Sequence, residues 1–266
     1  MDVLMKERPI CATKQAIASA FSRAAASYDQ HAAFQREVGH QLIDRMPDKF
    51  CGKRVLDLGC GTGYFSQHFI DAGADLVCAD LSAEMLQQAQ QRCGAANAEF
   101  TQCDAESMPF ADASFDYVFS SLALQWCDDL AVPLKEIKRI LKPGGQGYFS
   151  TLLEGSLYEL DQAWSKVDSY QHVNRFISHN QVKLALAQAG YPKHHLFLQP
   201  ITLRYASAFA LMKDLKGIGA THVEGRAKGL VSRQTLAQVE AAYRACCGLE
   251  EDLPATYQVC FGVLHR

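Results

Sequence analysis

Apolar residues follow two periods along this chain, and each change of period marks a new element. Over residues 14–26 the positions Ile17, Ala20, Phe21 and Ala24 form one helical stripe. After a short break the same period runs through 28–46 with Phe34, Val38, Leu42 and Ile43, closed by Pro47. Short apolar runs suited to buried parallel strands then appear at 55–58, 76–79, 100–103, 115–121 and 148–152. Helix-compatible segments at 64–71, 83–93 and 134–141 separate them, the last stopped by Pro143-Gly144-Gly145. Strands alternating with helices predict an α/β fold around a mostly parallel sheet. Residues 157–189 read as helical up to Gly190, and 197–205 and 256–264 read as two late strands with a long excursion between them.

The first strand runs directly into Gly59, Gly61 and Gly63, giving Val55-Leu-Asp-Leu-Gly-Cys-Gly-Thr-Gly ahead of a helix. Glycine serves where the backbone takes positive φ or where a ligand approaches without meeting a Cβ. The dinucleotide fingerprint spaces its glycines G-x-G-x-x-G, whereas this loop reads G-x-G-x-G with Asp57 just inside the strand. A carboxylate there would repel a pyrophosphate and suits a cation. Asp80 follows Gly63 by 17 residues at the end of the second strand, close to the spacing at which an acid meets ribose hydroxyls. Ser82 is the better cap for helix 83–93.

These features resemble motif I of the class I S-adenosylmethionine-dependent methyltransferases. The resemblance implies a Rossmann-like α/β fold with a seven-stranded, mostly parallel sheet, completed by an antiparallel hairpin. It also implies an N-terminal helical addition over residues 1–50, and a methyltransferase domain over 51–266 with cap insertions at about 153–195 and 206–254. The cofactor expected is S-adenosyl-L-methionine, held by Asp57, Gly59, Gly61, Gly63, Asp80, Leu81, Met85, Asp104, Ala105 and Ser121, with Asp104 matching the acid that hydrogen-bonds the adenine amino group. The loop after the fourth strand, with Gln125 and Trp126, is expected to face the methyl group, because ligands of open α/β sheets sit beyond the carboxyl ends of the strands.

Outside the core, four further stretches narrow the resemblance. They are Lys14-Gln-Ala-Ile-Ala with Phe21-Ser-Arg-Ala-Ala, Leu124-Gln-Trp-Cys-Asp-Asp-Leu, Asn174-Arg-Phe and Leu215-Lys-Gly-Ile-Gly-Ala-Thr-His. Taken in this order they resemble the malonyl-acyl carrier protein O-methyltransferase family of biotin synthesis. That resemblance implies methyl transfer to the free carboxylate of a malonyl thioester, on acyl carrier protein or as malonyl-CoA. Such a carboxylate is already ionised at pH 7, so positioning groups rather than a base are expected. Arg175 is the first candidate to anchor it, since a guanidinium binds a carboxylate bidentately; Tyr28 and Lys216 are further donors. His31, Gln125, Trp126 and His222 are candidate acceptor contacts, and Lys135, Lys138, Arg139 and Lys142 or Arg226, Lys228 and Arg233 are candidate docking cations for the acidic carrier. A methyltransferase of another small metabolite, or a non-catalytic S-adenosylmethionine-binding module, uses the same core motif.

Composition changes this picture little. The 26 basic and 29 acidic residues leave a net charge of −3, so no general attraction to nucleic acid or to a membrane surface is expected. Ten cysteines contain no C-x-x-C pair, and Cys78, Cys127 and Cys260 fall in apolar runs, as reduced thiols do. The nine histidines show no H-E-x-x-H spacing, so no metal is expected. No apolar run approaches a membrane span and no leader pattern opens the chain, which together predict a cytoplasmic protein.

Overall fold

The computed structural model describes residues 12–220, 232–248 and 252–266. The chain opens with three helices, α1 (Ala12–Ala24), α2 (Tyr28–His31) and α3 (Ala33–Ile43). Then come β1 (Arg54–Leu58), α4 (Tyr64–Asp71), β2 (Asp75–Asp80), α5 (Ala83–Cys93), β3 (Ala98–Gln102) and β4 (Phe115–Ser121). A 3-10 turn at Leu124–Trp126 leads to α6 (Ala131–Ile140) and β5 (Leu141–Leu152). The remaining elements are α7 (Tyr158–Ser165), α8 (His179–Gln188), β6 (His194–Tyr205), α9 (Ala208–Gly217), α10 (Arg233–Cys247) and β7 (Leu253–His265).

Local chemistry explains the boundaries. Ser82 caps α5 by accepting from Met85 N, and Ser178, Ser207 and Ser232 cap α8, α9 and α10 in the same way. Several expected spans differ, and three of the differences bear on the architecture. The segment expected to be helical over 28–46 is interrupted at Ala32 and stops at Ile43, although Met46 is still buried. Strand β5 takes over from α6 at Leu141, and Pro143-Gly144-Gly145 lies inside its irregular start, where pairing with β4 shifts register. The stretch expected to be helical over 157–189 is broken at 166–178, where Asp168 accepts from Tyr170 N in a side-chain turn before the Ser178 cap restarts the helix.

The seven strands lie in the order β3-β2-β1-β4-β5-β7-β6. Pairings from β3 through β5 are parallel, and β7 runs antiparallel between β5 and β6. The chain order reverses between β1 and β4, which opens a crevice at their carboxyl ends. Alternation along β1 sends Val55 to one face, with Phe69, Phe119 and the helix α3 residues Val38 and Leu42, and sends Leu56 and Leu58 to the other, with Leu134, Ile137 and Val182. Both faces are covered, as a parallel sheet requires.

Gly262 of β7 sits opposite Phe149 of β5, and a Cβ there would lie 2.0 Å from the Phe149 ring. Phe149 is fully buried and has nowhere to retreat. Gly262→Ala is therefore expected to destabilise the fold by about 1–3 kcal/mol, which urea unfolding monitored by circular dichroism will read.

Candidate active site

A cavity occupies the crevice at the switch point. Its floor is made by strand ends and the loops after them: Leu58, Gly59 and Gly61 after β1, Asp80 and Leu81 at β2, Asp104 and Ala105 after β3, and Ser121 of β4. Met85 of α5 closes one side, and α1 roofs the cavity with Lys14, Ile17 and Phe21. Eight of the ten residues expected to hold the cofactor thus share one wall. Gly61 has φ +54°, and the place of its missing Cβ is open space. Its N–H donates to Asp80 Oδ2 at 2.9 Å while Ser82 N donates to Oδ1 at 2.8 Å, so the glycine loop fixes the carboxylate. Burial raises the Asp80 pKa, and those backbone donors oppose the rise.

The other two expected residues lie behind the wall. Gly63 lines none of this cavity; with φ +77° it opens α4, and a Cβ there would lie 2.9 Å from the Ala89 backbone, so its role is the close packing of α4 on α5. Asp57 turns to the α4 side of β1, where Ser66 donates to it at 2.6 Å. Burial pushes its carboxyl up to about 7, against the lowering effect of the Ser66 hydroxyl.

The N-terminal helices are latched onto this site. Lys14 is buried between the carboxylates of Asp104 and Glu106. Ser22 meets the Ser82 hydroxyl at 2.9 Å, and Asp29 accepts from Thr62 at 2.7 Å and pairs with Arg92. His31, an expected acceptor contact, instead bonds Asp214 of α9 through Nδ1 at 2.6 Å, and its ring fills the space over Gly217. It lines none of the cavities at the site.

Beyond the first cavity lies a second, and Phe21, Tyr28, Leu122 and Trp126 face both. These four residues form the partition. Leu122 takes φ +51°, unusual for a branched side chain, and its N–H is held by Ser150. The Trp126 ring meets Phe21 edge to face at 5.3 Å. Burial, with the nearby Asp80 and Asp29 charges adding, raises the Tyr28 pKa far above its usual range, so the hydroxyl stays a neutral donor. The inner cavity is mostly apolar, with Leu160, Val173 and Leu215 on its wall, and its polar tips include Gln35, Gln125, His172 and Asn174. Buried Oε1 atoms of Gln35 and Gln125 have no hydrogen-bond partner among the described residues.

A third, outer cavity adjoins the second and shares Gln125, Trp126, Asn174 and Phe176 with it. Arg175 is exposed and lines this outer space, not the inner one. Lys216 is exposed on α9 and lines none of the three, although its neighbours Leu215 and Ile218 line the second. His222 lies outside the described residues, as do Arg226 and Lys228. Lys138, Arg139 and Lys142 are engaged at the opposite edge of the sheet: Lys138 donates to Gly190 O, Arg139 pairs with Asp112 and Glu136, and Lys142 pairs with Asp116 near the start of β4. Sequence reading missed His172 and Leu122, which carry no motif of their own, and in Asn174-Arg-Phe it singled out Arg175 rather than Asn174. No group of metal-ligating side chains occurs among the described residues.

The first wall suits an adenosine ligand without phosphates. It offers carboxylate acceptors at Asp80 and Asp104, and its one lysine, Lys14, is already matched by two acids. A methyltransferase domain family matches residues 56–149. The malonyl-(acyl-carrier protein) O-methyltransferase of Serratia marcescens is 46% identical, covering 95% of this chain and 96% of that protein. The chain belongs to the malonyl-(acyl-carrier protein) O-methyltransferase family. Among solved structures, the YcgJ protein of Bacillus subtilis superposes with a TM-score of 0.62 at 17% identity, covering 87% of this chain and 98% of that one. Phosphoethanolamine N-methyltransferase 2 of Haemonchus contortus, solved with S-adenosyl-L-methionine, gives 0.61 at 19%, covering 97% of this chain and 60% of that one. At these identities the likeness is one of fold, a Rossmann-like α/β architecture.

Because the folded-state Asp57 carboxyl titrates near 7 and an unfolded one near 4, the folded protein binds the extra proton between these values. Stability from this group is full below pH 4 and is lost as pH rises through 7. Asp57→Asn lacks that dependence. Its stability relative to the parent is expected to rise by about 2–3 kcal/mol from pH 5 to pH 8, read by chemical denaturation at each pH.

Proposed function

We propose that this protein transfers a methyl group from S-adenosylmethionine to the free carboxylate of a malonyl thioester carried by acyl carrier protein, giving the methyl ester that primes pimeloyl synthesis for biotin. The observation that carries the reading is the 46% identity to the Serratia marcescens enzyme over nearly the full length of both chains. The two cavities meeting at one partition support it.

S-adenosylmethionine, when bound, supplies an electrophilic methyl on a sulfonium centre. The residues that would hold it are Gly59 and Gly61 by close backbone approach, Asp80 toward the ribose hydroxyls, Asp104 toward the adenine amino group, and Leu81, Met85, Ala105 and Ser121 around them. Lys14 balances the charge that Asp104 and Glu106 would otherwise leave buried. The acceptor lies in the inner cavity with its carboxylate at the partition. Phe21, Leu122 and Trp126 keep water from that point, which strips part of the carboxylate's hydration. Tyr28 orients it by donating a neutral O–H, and Gln125 and Asn174 stand where the inner and outer cavities meet, along the path of the thioester arm. No proton has to be removed, because the acceptor is already an anion. The carrier protein belongs at the outer mouth beside Arg175, because the Lys138, Arg139 and Lys142 cluster lies at the far edge of the sheet. Free thiols at all nine described cysteines agree with a cytoplasmic setting. No described helix is long and apolar enough to cross a membrane.

The test is incubation with methyl-labelled S-adenosylmethionine and malonyl carrier protein or malonyl-CoA. Label on the thioester that mild base releases is the expected result, and label that survives base, or none, would overturn the reading. Tyr28→Phe is expected to lower kcat/KM by roughly tenfold or more, the loss of one hydrogen bond to a charged group, measured by initial rates.

A further inference from the structure

The anion that the proposed reaction places in the inner cavity needs a positive partner, and neither sequence-favoured cation reaches that cavity. Arg175 lines the outer space and Lys216 is exposed on α9. Among the described residues on the inner wall, the ionisable side chains are Tyr28 from α2, Tyr257 from β7 and His172 from the coil between α7 and α8. Both phenols are held neutral by burial. Of these three described residues, only His172 can carry a positive charge.

The setting of His172 is that of a built site. Its side chain is 6% exposed. Nε2 bonds both carboxylate oxygens of Asp168, at 2.9 and 3.1 Å. The ring stacks on Trp164, centroids 3.6 Å apart and planes within 8°. Nδ1 has no hydrogen bond among the described residues. A carboxylate fixed on one ring nitrogen sets the tautomer and supports the imidazolium, leaving the other nitrogen as donor to an anion.

We propose that His172, oriented by Asp168 and Trp164, is the residue that binds the acceptor carboxylate. This rests on the malonyl reading of the site and names the residue that recognises its charge. One firm contact of this kind holds the carboxylate without the second cation that would quench it as a nucleophile. It also gives selectivity: once methylated, the ester product has no charge for the imidazolium, and it is released in favour of a fresh acid.

The experiment compares malonyl carrier protein with its methyl ester on the parent enzyme, His172→Gln and Asp168→Asn. His172→Gln should raise KM for the acid roughly thirtyfold at pH 6.5. Affinity for the methyl ester and for S-adenosylmethionine, read by calorimetry, should stay within threefold. Asp168→Asn keeps the ring and its stack, and should raise the same KM severalfold. A KM within threefold of the parent in His172→Gln, or equal losses for acid and ester, would overturn the assignment and leave His172 a packing residue. A parent enzyme that methylates no malonyl thioester would overturn the malonyl reading itself, a failure seen before any variant is made.

Discussion

Lys14 lies buried between Asp104 and Glu106, and the shape of the whole site depends on that contact. An unpaired ammonium or carboxylate at such a depth would cost several kcal/mol, so the three groups hold one another in place. Two of them belong to the loop after β3 and the third to a helix that precedes the sheet. Joining them turns an open crevice into a roofed cavity. The Asp29 contacts with Thr62 and Arg92 repeat the device toward α4 and α5, and the His31–Asp214 contact ties α2 to α9.

Charge is divided accordingly. Around the first cavity acids are abundant and pinned, Asp80 by two backbone donors and Asp104 by Lys14, which suits a ligand that brings positive charge and hydroxyl groups. Among the described residues, the inner cavity has an apolar wall, neutral donors and one imidazole. Between them stands a thin layer of Phe21, Tyr28, Leu122 and Trp126. The left-handed Leu122 shows how tightly this layer is set, for its backbone persists there under the hold of Ser150.

Much of the core was legible because its signals are local. Helices 64–71 and 83–93 and strand 115–121 were read with the observed bounds, since the helices follow a glycine loop and a serine cap and the strand is centred on the apolar run Tyr117-Val118-Phe119. The segment after α7 was not legible. Read as a helix, residues 172 and 175 share a face; in the observed coil they part, one into the inner cavity and the other to the outer. A side-chain turn at Asp168 is enough to separate them, and no period in the sequence announces it.

The sequence by itself determined the α/β alternation, the glycine loop and the ring of residues at the strand ends, because in a parallel sheet every residue just past a strand arrives at the same edge whatever lies between. On the acceptor side the sequence named Tyr28, Gln125 and Trp126, but the shape of that cavity and the rest of its lining came only with the tertiary structure. Its wall draws on α1 to α3, the turn after β4, the coil after α7, the end of α9 and β7, segments far apart in the chain that share no motif. Which polar tip faces inward there is decided by packing between those segments, and packing is a property of the folded whole.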